Sequence, residues 1–157
     1  MTAQTITHKS NTKGFTLIEL LVVIGILAVL LAITLIAINP AKQFAQANNT
    51  KRRSDVNTIL NAINQNMADN KGVVPTGITA SRLEISDTGA NICAALAPKY
   101  IAQLPTDPKV NNGTPVAVPC PATYTSGYYV VQSTTDNRIT VDAHQYQELT
   151  EVIDVTR

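Results

Sequence analysis

Lys13-Gly14-Phe15-Thr16-Leu17-Ile18-Glu19 joins a short polar leader to an apolar run over residues 15–38, in which Glu19 is the one formal charge. A helix of that length runs about 36 Å, enough to cross the hydrocarbon core of a bilayer. A carboxylate inside such a run is costly, and a functional role is its default explanation. The plain alternative is that Glu19 lies within about one turn of the span's end and reaches the interface from there.

The polar sequence that follows fits one small domain. Of 157 residues, roughly 119 follow the span, enough for a single core. Net charge is +1. A leader of residues 1–14 carries Lys9 and Lys13, so its removal leaves 10 basic against 11 acidic side chains, or −1. That balance gives no basis for bulk binding to nucleic acid or to a membrane surface. An ordinary secretory signal is the first competing reading, because Ala45-Gln46-Ala47 fits an A-x-A site. The apolar run is about twice as long as a cleavable core, and the tripeptide lies well beyond its end. Charge counting around the span sets Lys9 and Lys13 against Lys42, Lys51, Arg52 and Arg53, which by itself puts the C-terminal side in the cytoplasm. Cys93 and Cys120 point the other way: an even pair in a small domain suits one disulfide in an oxidising compartment, the alternative being two buried thiols.

Beyond the span the pattern is helical, then strand-like. Val56, Ile59, Leu60, Ile63 and Met67 recur at helical spacing, with Asp55, Asn57, Asn61, Asn64 and Gln65 on the other face. This is an amphipathic helix over residues 39–71 whose apolar stripe needs a cover. Pro40 lacks an N–H and clashes with the carbonyl of Ile36, so a kink or local unwinding is expected at Asn39-Pro40. Asn70-Lys71-Gly72 reads as the stop. Residues 73–86 read as loop with one short strand, and residues 91–96 as a short helix ended by Pro98. Residues 110–121 hold Pro115, Pro119, Pro121 and Gly113 and read as loop. Residues 128–133 and 138–143 are strand-like, the second alternating with Ile139, Val141 and Ala143 on one face. A tight hairpin turn is expected at Asp136-Asn137, and a last strand over residues 151–155. Three or so antiparallel strands over the helical stripe make an α+β layout, with a globular head over residues 72–157.

The string Gly14-Phe15-Thr16-Leu17-Ile18-Glu19 resembles the prepilin signal, the class III leader of type IV pilins and pseudopilins. In that family the leader is cut after Gly, the new N-terminus is aromatic, and Glu is the fifth mature residue. Each position matches, and Leu20-Leu21-Val22-Val23-Ile24-Gly25-Ile26-Leu27 also reads as family. The resemblance implies peptidase cleavage between Gly14 and Phe15 and N-methylation of Phe15. It implies an external C-terminal domain, and the pilin fold of a long N-terminal helix laid against an antiparallel sheet. It also implies an assembly role for Phe15 and Glu19. An ammonium and a carboxylate in a membrane are each expensive, and pairing them between subunits relieves both. Small Gly25, Ala28 and Ala32 allow the spans to bundle closely. The chain departs from the family in having Ile36 where pilins often carry a helix-disrupting Pro. Leu104-Pro105-Thr106-Asp107-Pro108 is similar to a segment of secretion-class pseudopilins and some pilins. There an aromatic and a Gly usually follow, whereas here Lys109-Val110-Asn111-Asn112-Gly113 stands.

Catalytic and metal chemistry find little footing. His144 is the only histidine after the leader, and a Cys–His or Ser–His–Asp set would rest on it alone. Zinc would need Cys93, Cys120, His144 and a carboxylate without any tight ligand spacing. Calcium, which secretion-class pseudopilins hold in a C-terminal loop, could draw oxygens from Asp107, Asn111 and Asn112, though these read first as turn residues. Lys51-Arg52-Arg53 reads as a solvated helix face; no aromatics interleave it, which argues against nucleic acid. The expectation is therefore a structural subunit of a type IV pilus-like filament, with no enzymatic activity, no cofactor and no metal. Its partners are copies of itself and other pilins, a prepilin peptidase and an inner-membrane assembly platform. It sits as a single-pass protein in the cell membrane before assembly and in an extracellular filament after it. Two alternatives stand beside this: a pseudopilin of a type II secretion or DNA-uptake system, and a membrane-anchored binding ectodomain that never polymerises.

Overall fold

Val56, Ile59, Leu60 and Ile63 are completely buried in the computed structural model, on one face of a helix spanning Pro40–Asp69 (α2). The structure describes residues 14–143, 149 and 151–157; Lys9, Lys13 and His144 lie outside them. A first helix, α1, spans Leu17–Ile38. Internal contacts divide the chain into two compact units, Met1–Pro40 and Ala41–Arg157.

The break between the helices sits at Asn39, whose φ of 45° is left-handed. Asn tolerates that conformation and commonly ends helices in it. Pro40 then becomes the first residue of α2, where a missing N–H and a fixed φ are harmless. The expected disruption at Asn39-Pro40 is thus a clean stop and restart. At its other end α2 stops through Lys71 and Gly72, both at positive φ, with the Gly72 amide donating to the Met67 carbonyl at 2.7 Å.

The stripe of α2 is covered by a four-stranded antiparallel sheet in the order β1-β2-β3-β4, a simple meander. The strands are Leu83–Ser86, Thr125–Gln132, Ile139–Asp142 and Asp154–Thr156. Register runs Leu83 to Val130, Val130 to Val141 and Val141 to Val155. Ile85, Tyr128, Val130, Ile139 and Val141 face inward and join the α2 stripe in one core. Ile139, Val141 and Ala143 are all buried, as alternation required. The short helix α3, Cys93–Leu96, sends Cys93 and Leu96 into the same core. The architecture is α+β, as expected from the pattern, with one strand more than the three or so anticipated.

Two details differ from the expectation, the last strand, which is Asp154–Thr156 rather than residues 151–155, and the hairpin turn. The β2–β3 connection takes in residues 133–138, closed by the Ser133 amide on the Arg138 carbonyl at 2.8 Å, so it is longer than a tight hairpin. Asn137 still supplies a positive φ there. The register between β1 and β2 slips after Glu84, opposite Gly127 at φ 75°. The Glu84 carboxylate accepts hydrogen bonds from the Gly127 amide and from the Thr125 hydroxyl, pinning the irregularity.

The larger correction concerns Lys51-Arg52-Arg53. Arg52 is not on a solvated face; its side chain is 0% exposed. It forms a bidentate pair with the equally buried Asp107, Nε to Oδ2 at 2.6 Å and Nη2 to Oδ1 at 3.0 Å. Its Nη1 donates to Asn49 Oδ1 at 2.8 Å, and Asp107 Oδ1 also accepts the Lys109 amide at 2.8 Å. The physical reason lies in the helix period: Asn49 and Arg52 fall in phase with Val56 and Ile59, so the buried stripe continues in polar residues. Arg53, one step around the helix, is exposed and pairs with Glu151 at 2.7 Å.

A buried pair is destabilised most when one partner is removed, because the other charge is stranded in a dry site. Arg52→Met should therefore cost about 3–5 kcal/mol. Arg53→Met should cost no more than about 1 kcal/mol. Denaturant titration of both variants checks the contrast, and equal losses would contradict it.

Tyr128 gives a second test. Burial, and then its 2.7 Å hydrogen bond to the Asp55 carboxylate, hold the phenol neutral well above the ordinary tyrosine range. A folded-state pKa above the unfolded value of about 10 means stability is intact below pH 10 and falls as pH rises beyond it. Thermal melts against pH should show a steeper alkaline loss in the wild type than in Tyr128→Phe. Parallel curves would contradict this.

Candidate functional site at the head of the apolar helix

Thr16 and Glu19 make a reciprocal capping box at the start of α1. Thr16 is the N-cap, in extended backbone at φ −83° and ψ 152°. Its hydroxyl accepts from the Glu19 amide at 3.3 Å. The Glu19 carboxylate reaches back to accept from the Thr16 amide at 2.8 Å and from its hydroxyl at 2.7 Å. Two otherwise unpaired donors of the first turn are satisfied in this way. A carboxylate here also meets the positive end of the helix dipole. The sequence signature, Thr-x-x-Glu just before an apolar run, was there to be read, and Thr16 is the site residue that the leader pattern alone did not single out.

The geometry brings Gly14, Phe15 and Glu19 to one helix end. Phe15 is 91% exposed and immediately precedes the cap. The rest of α1 is as bare: none of its residues is buried, and Leu17, Ile24, Leu31 and Ile36 are all exposed. By length and composition α1 is sufficient to cross a membrane. A helix that is apolar all round and has no buried residue needs lipid or other helices against it.

A comparison with protein-family profiles bears on this same end of the chain. Residues 9–35 carry the prokaryotic N-terminal methylation motif. This motif is the signal of type IV pilins and pseudopilins, and it supports a pilin-like or pseudopilin protein. The match takes in part of the leader, the cap and most of α1, and stops short of the globular unit. No curated protein and no solved structure matches the chain. The α+β arrangement of α2 and its sheet is consistent with the pilin fold. The methylation motif also implies processing by a prepilin peptidase and assembly with other pilins, and it fits membrane anchoring followed by a surface filament.

The remaining residues singled out from sequence are placed as follows. Cys93 and Cys120 are joined in a disulfide, with Cα atoms 6.1 Å apart, which removes both from any thiol or zinc chemistry. Asp107 does open a turn, as expected, its carbonyl accepting the Val110 amide at 2.9 Å and its Oδ1 the Lys109 amide at 2.8 Å, while Arg52 takes both carboxylate oxygens and competes with any calcium for them. Asn111 and Asn112 do form a turn, a 3-10 segment Asn111–Gly113 with all three residues at positive φ. Among the described residues no three His, Cys, Asp or Glu side chains come together as a metal site.

The disulfide closes a span of 27 residues that is otherwise rich in proline and poor in regular structure. Replacing both cysteines by serine should lower stability by about 2–4 kcal/mol. Denaturant titration measures it; a change below about 0.5 kcal/mol would show the loop to be held by other contacts.

Proposed function

We propose that this protein is a structural subunit of a type IV pilus-like filament. It is inserted as a precursor, cut between Gly14 and Phe15, methylated on Phe15, and polymerised through its N-terminal helix. The observation that carries the reading is α1 itself, a capped apolar helix with no buried residue beneath a methylation motif. Before assembly lipid covers that surface; after assembly the helices of neighbouring subunits do. Cleavage frees an ammonium on Phe15, and the Glu19 carboxylate of another subunit is the partner of opposite charge available in a low-dielectric core. The protein's work is assembly, with no catalytic turnover, cofactor or metal.

Two observations in the globular unit favour a structural subunit over a nucleic-acid binder. Of the three adjacent cations, Arg52 is buried on Asp107 and Arg53 pairs with Glu151. Lys51 donates to the Thr106 carbonyl at 2.9 Å and pairs with Asp55 at 3.2 Å. A pseudopilin of a secretion or uptake machine shares the signal and the assembly chemistry. The commitment of Asp107 to Arg52 weighs against a secretion-class calcium loop at this place. A non-polymerising anchored ectodomain has no use for methylation after cleavage.

Mass spectrometry of subunits from sheared surface filaments tests the proposal. The expected subunit lacks residues 1–14 and carries a methyl group on Phe15. A mature N-terminus near Asn48, or recovery of the protein from membranes alone with no filament fraction, would overturn it.

A further inference from the structure

The globular unit buries α2 only from Asn49 onward. Asn49 and Arg52 are the first buried residues of this helix, and none of residues 41–48 is buried. About two turns of α2 therefore stand clear before the core begins. In the middle of them Phe44 is 70% exposed, and it has no place in the hydrophobic core.

Helical phase explains why its own unit leaves Phe44 bare. At about 100° per residue, Phe44 lies roughly 80° around the helix from Arg52, on the side away from Val56 and Leu60. The residues in line with the buried stripe are Ala41, Ala45 and Asn48, and of these Ala45 and Asn48 are half-buried. The fold of the unit thus has no element over the ring.

A single exposed apolar side chain is ordinary. Three further features set Phe44 apart. Its neighbours three and four places away include Pro40, Ala41 and Ala47, compact residues that let a partner close around the ring. Residues 40–48 hold one formal charge, Lys42, and the cores of protein interfaces are poor in charge and rich in aromatics. The segment also follows α1 directly in the chain, with Asn39 alone between the two helices, and α1 carries the motif that implies assembly with other pilins. Lipid suits it less well. Lys42, Gln43, Gln46 and Asn48 fall in the same two turns, and so many polar side chains are costly in hydrocarbon. We propose that residues 41–48 form an interface between copies of this chain in the filament, with Phe44 as its anchor. This interface presupposes the filament reading and extends its helical contact past the break at Asn39.

The test uses the full-length precursor expressed in cells that make the filament. The photoreactive residue p-benzoylphenylalanine is placed at position 44 in a minor share of subunits, so that wild-type copies build the filament around it. Irradiated filaments should yield covalent adducts between two copies. Adducts to lipid alone, or none between copies, would overturn the proposal. Filaments are also counted for Phe44→Gln and Phe44→Leu at equal membrane-pool expression. Phe44→Gln should form about tenfold fewer or less, and Phe44→Leu should recover most of the wild-type number. The melting temperature of the globular unit should be unchanged in both, since Phe44 lies outside its core. Wild-type filament numbers in Phe44→Gln would overturn the interface while leaving the filament reading intact. Absence of filaments from the wild type itself would sink that reading, and the interface with it.

Discussion

An apolar helix with no buried residue in its own chain must be covered by something else. That constraint shapes both halves of this protein. Because α1 contributes nothing to a core, the unit Ala41–Arg157 has to close its own, and it does so with the stripe of α2 against a four-stranded meander. In the proposed filament the apolar surface passes from lipid to neighbouring helices, and the globular unit stays folded throughout. A cap at Thr16 and Glu19 suits that passage, since the first turn of α1 is satisfied before any partner arrives.

Within the globular unit the buried pair Arg52–Asp107 ties α2 to the irregular segment that precedes β2. This segment holds Pro105, Pro108, Pro115, Pro119 and Gly113, too many breakers for a ladder of backbone hydrogen bonds. It is held instead by discrete ties: the ion pair, Lys51 on the Thr106 carbonyl, the Leu104–Val116 bridge, and the disulfide from Cys120 to α3. Each has a small footprint, and together they fix a loop that its own sequence leaves unstructured.

Much of this was legible from the residues. The span, the stripe Val56-Ile59-Leu60-Ile63, the α2 stop at Lys71-Gly72, the short helix before Pro98 and the alternation Ile139-Val141-Ala143 follow from periodicity and breaker chemistry. The fate of Arg52 was hidden because charge adjacency was weighed ahead of helical phase. Lys51-Arg52-Arg53 looks like one basic patch, yet the three side chains leave the helix in different directions, and the middle one faces the core. The ion pair of Asp107 was hidden for the matching reason: the residue does sit in the expected turn, and nothing beside it in sequence names the distant partner that buries its carboxylate. The tight hairpin at Asp136-Asn137 failed because a good turn dipeptide does not by itself fix loop length. The capping box was readable, but the leader signal drew Glu19 into one explanation and left its local one aside.

Those two roles of Glu19 are separable by charge. Glu19→Gln keeps a side chain able to accept from the Thr16 amide, so the cap survives, but it removes the negative charge. The decisive measurement is a count of surface filaments for the wild type and Glu19→Gln at equal membrane-pool expression, with cleavage verified by mass. If Glu19 pairs with the Phe15 ammonium of another subunit, the variant is inserted and cut but forms few or no filaments. Wild-type filament numbers in Glu19→Gln would contradict that account and leave Glu19 as a helix cap alone.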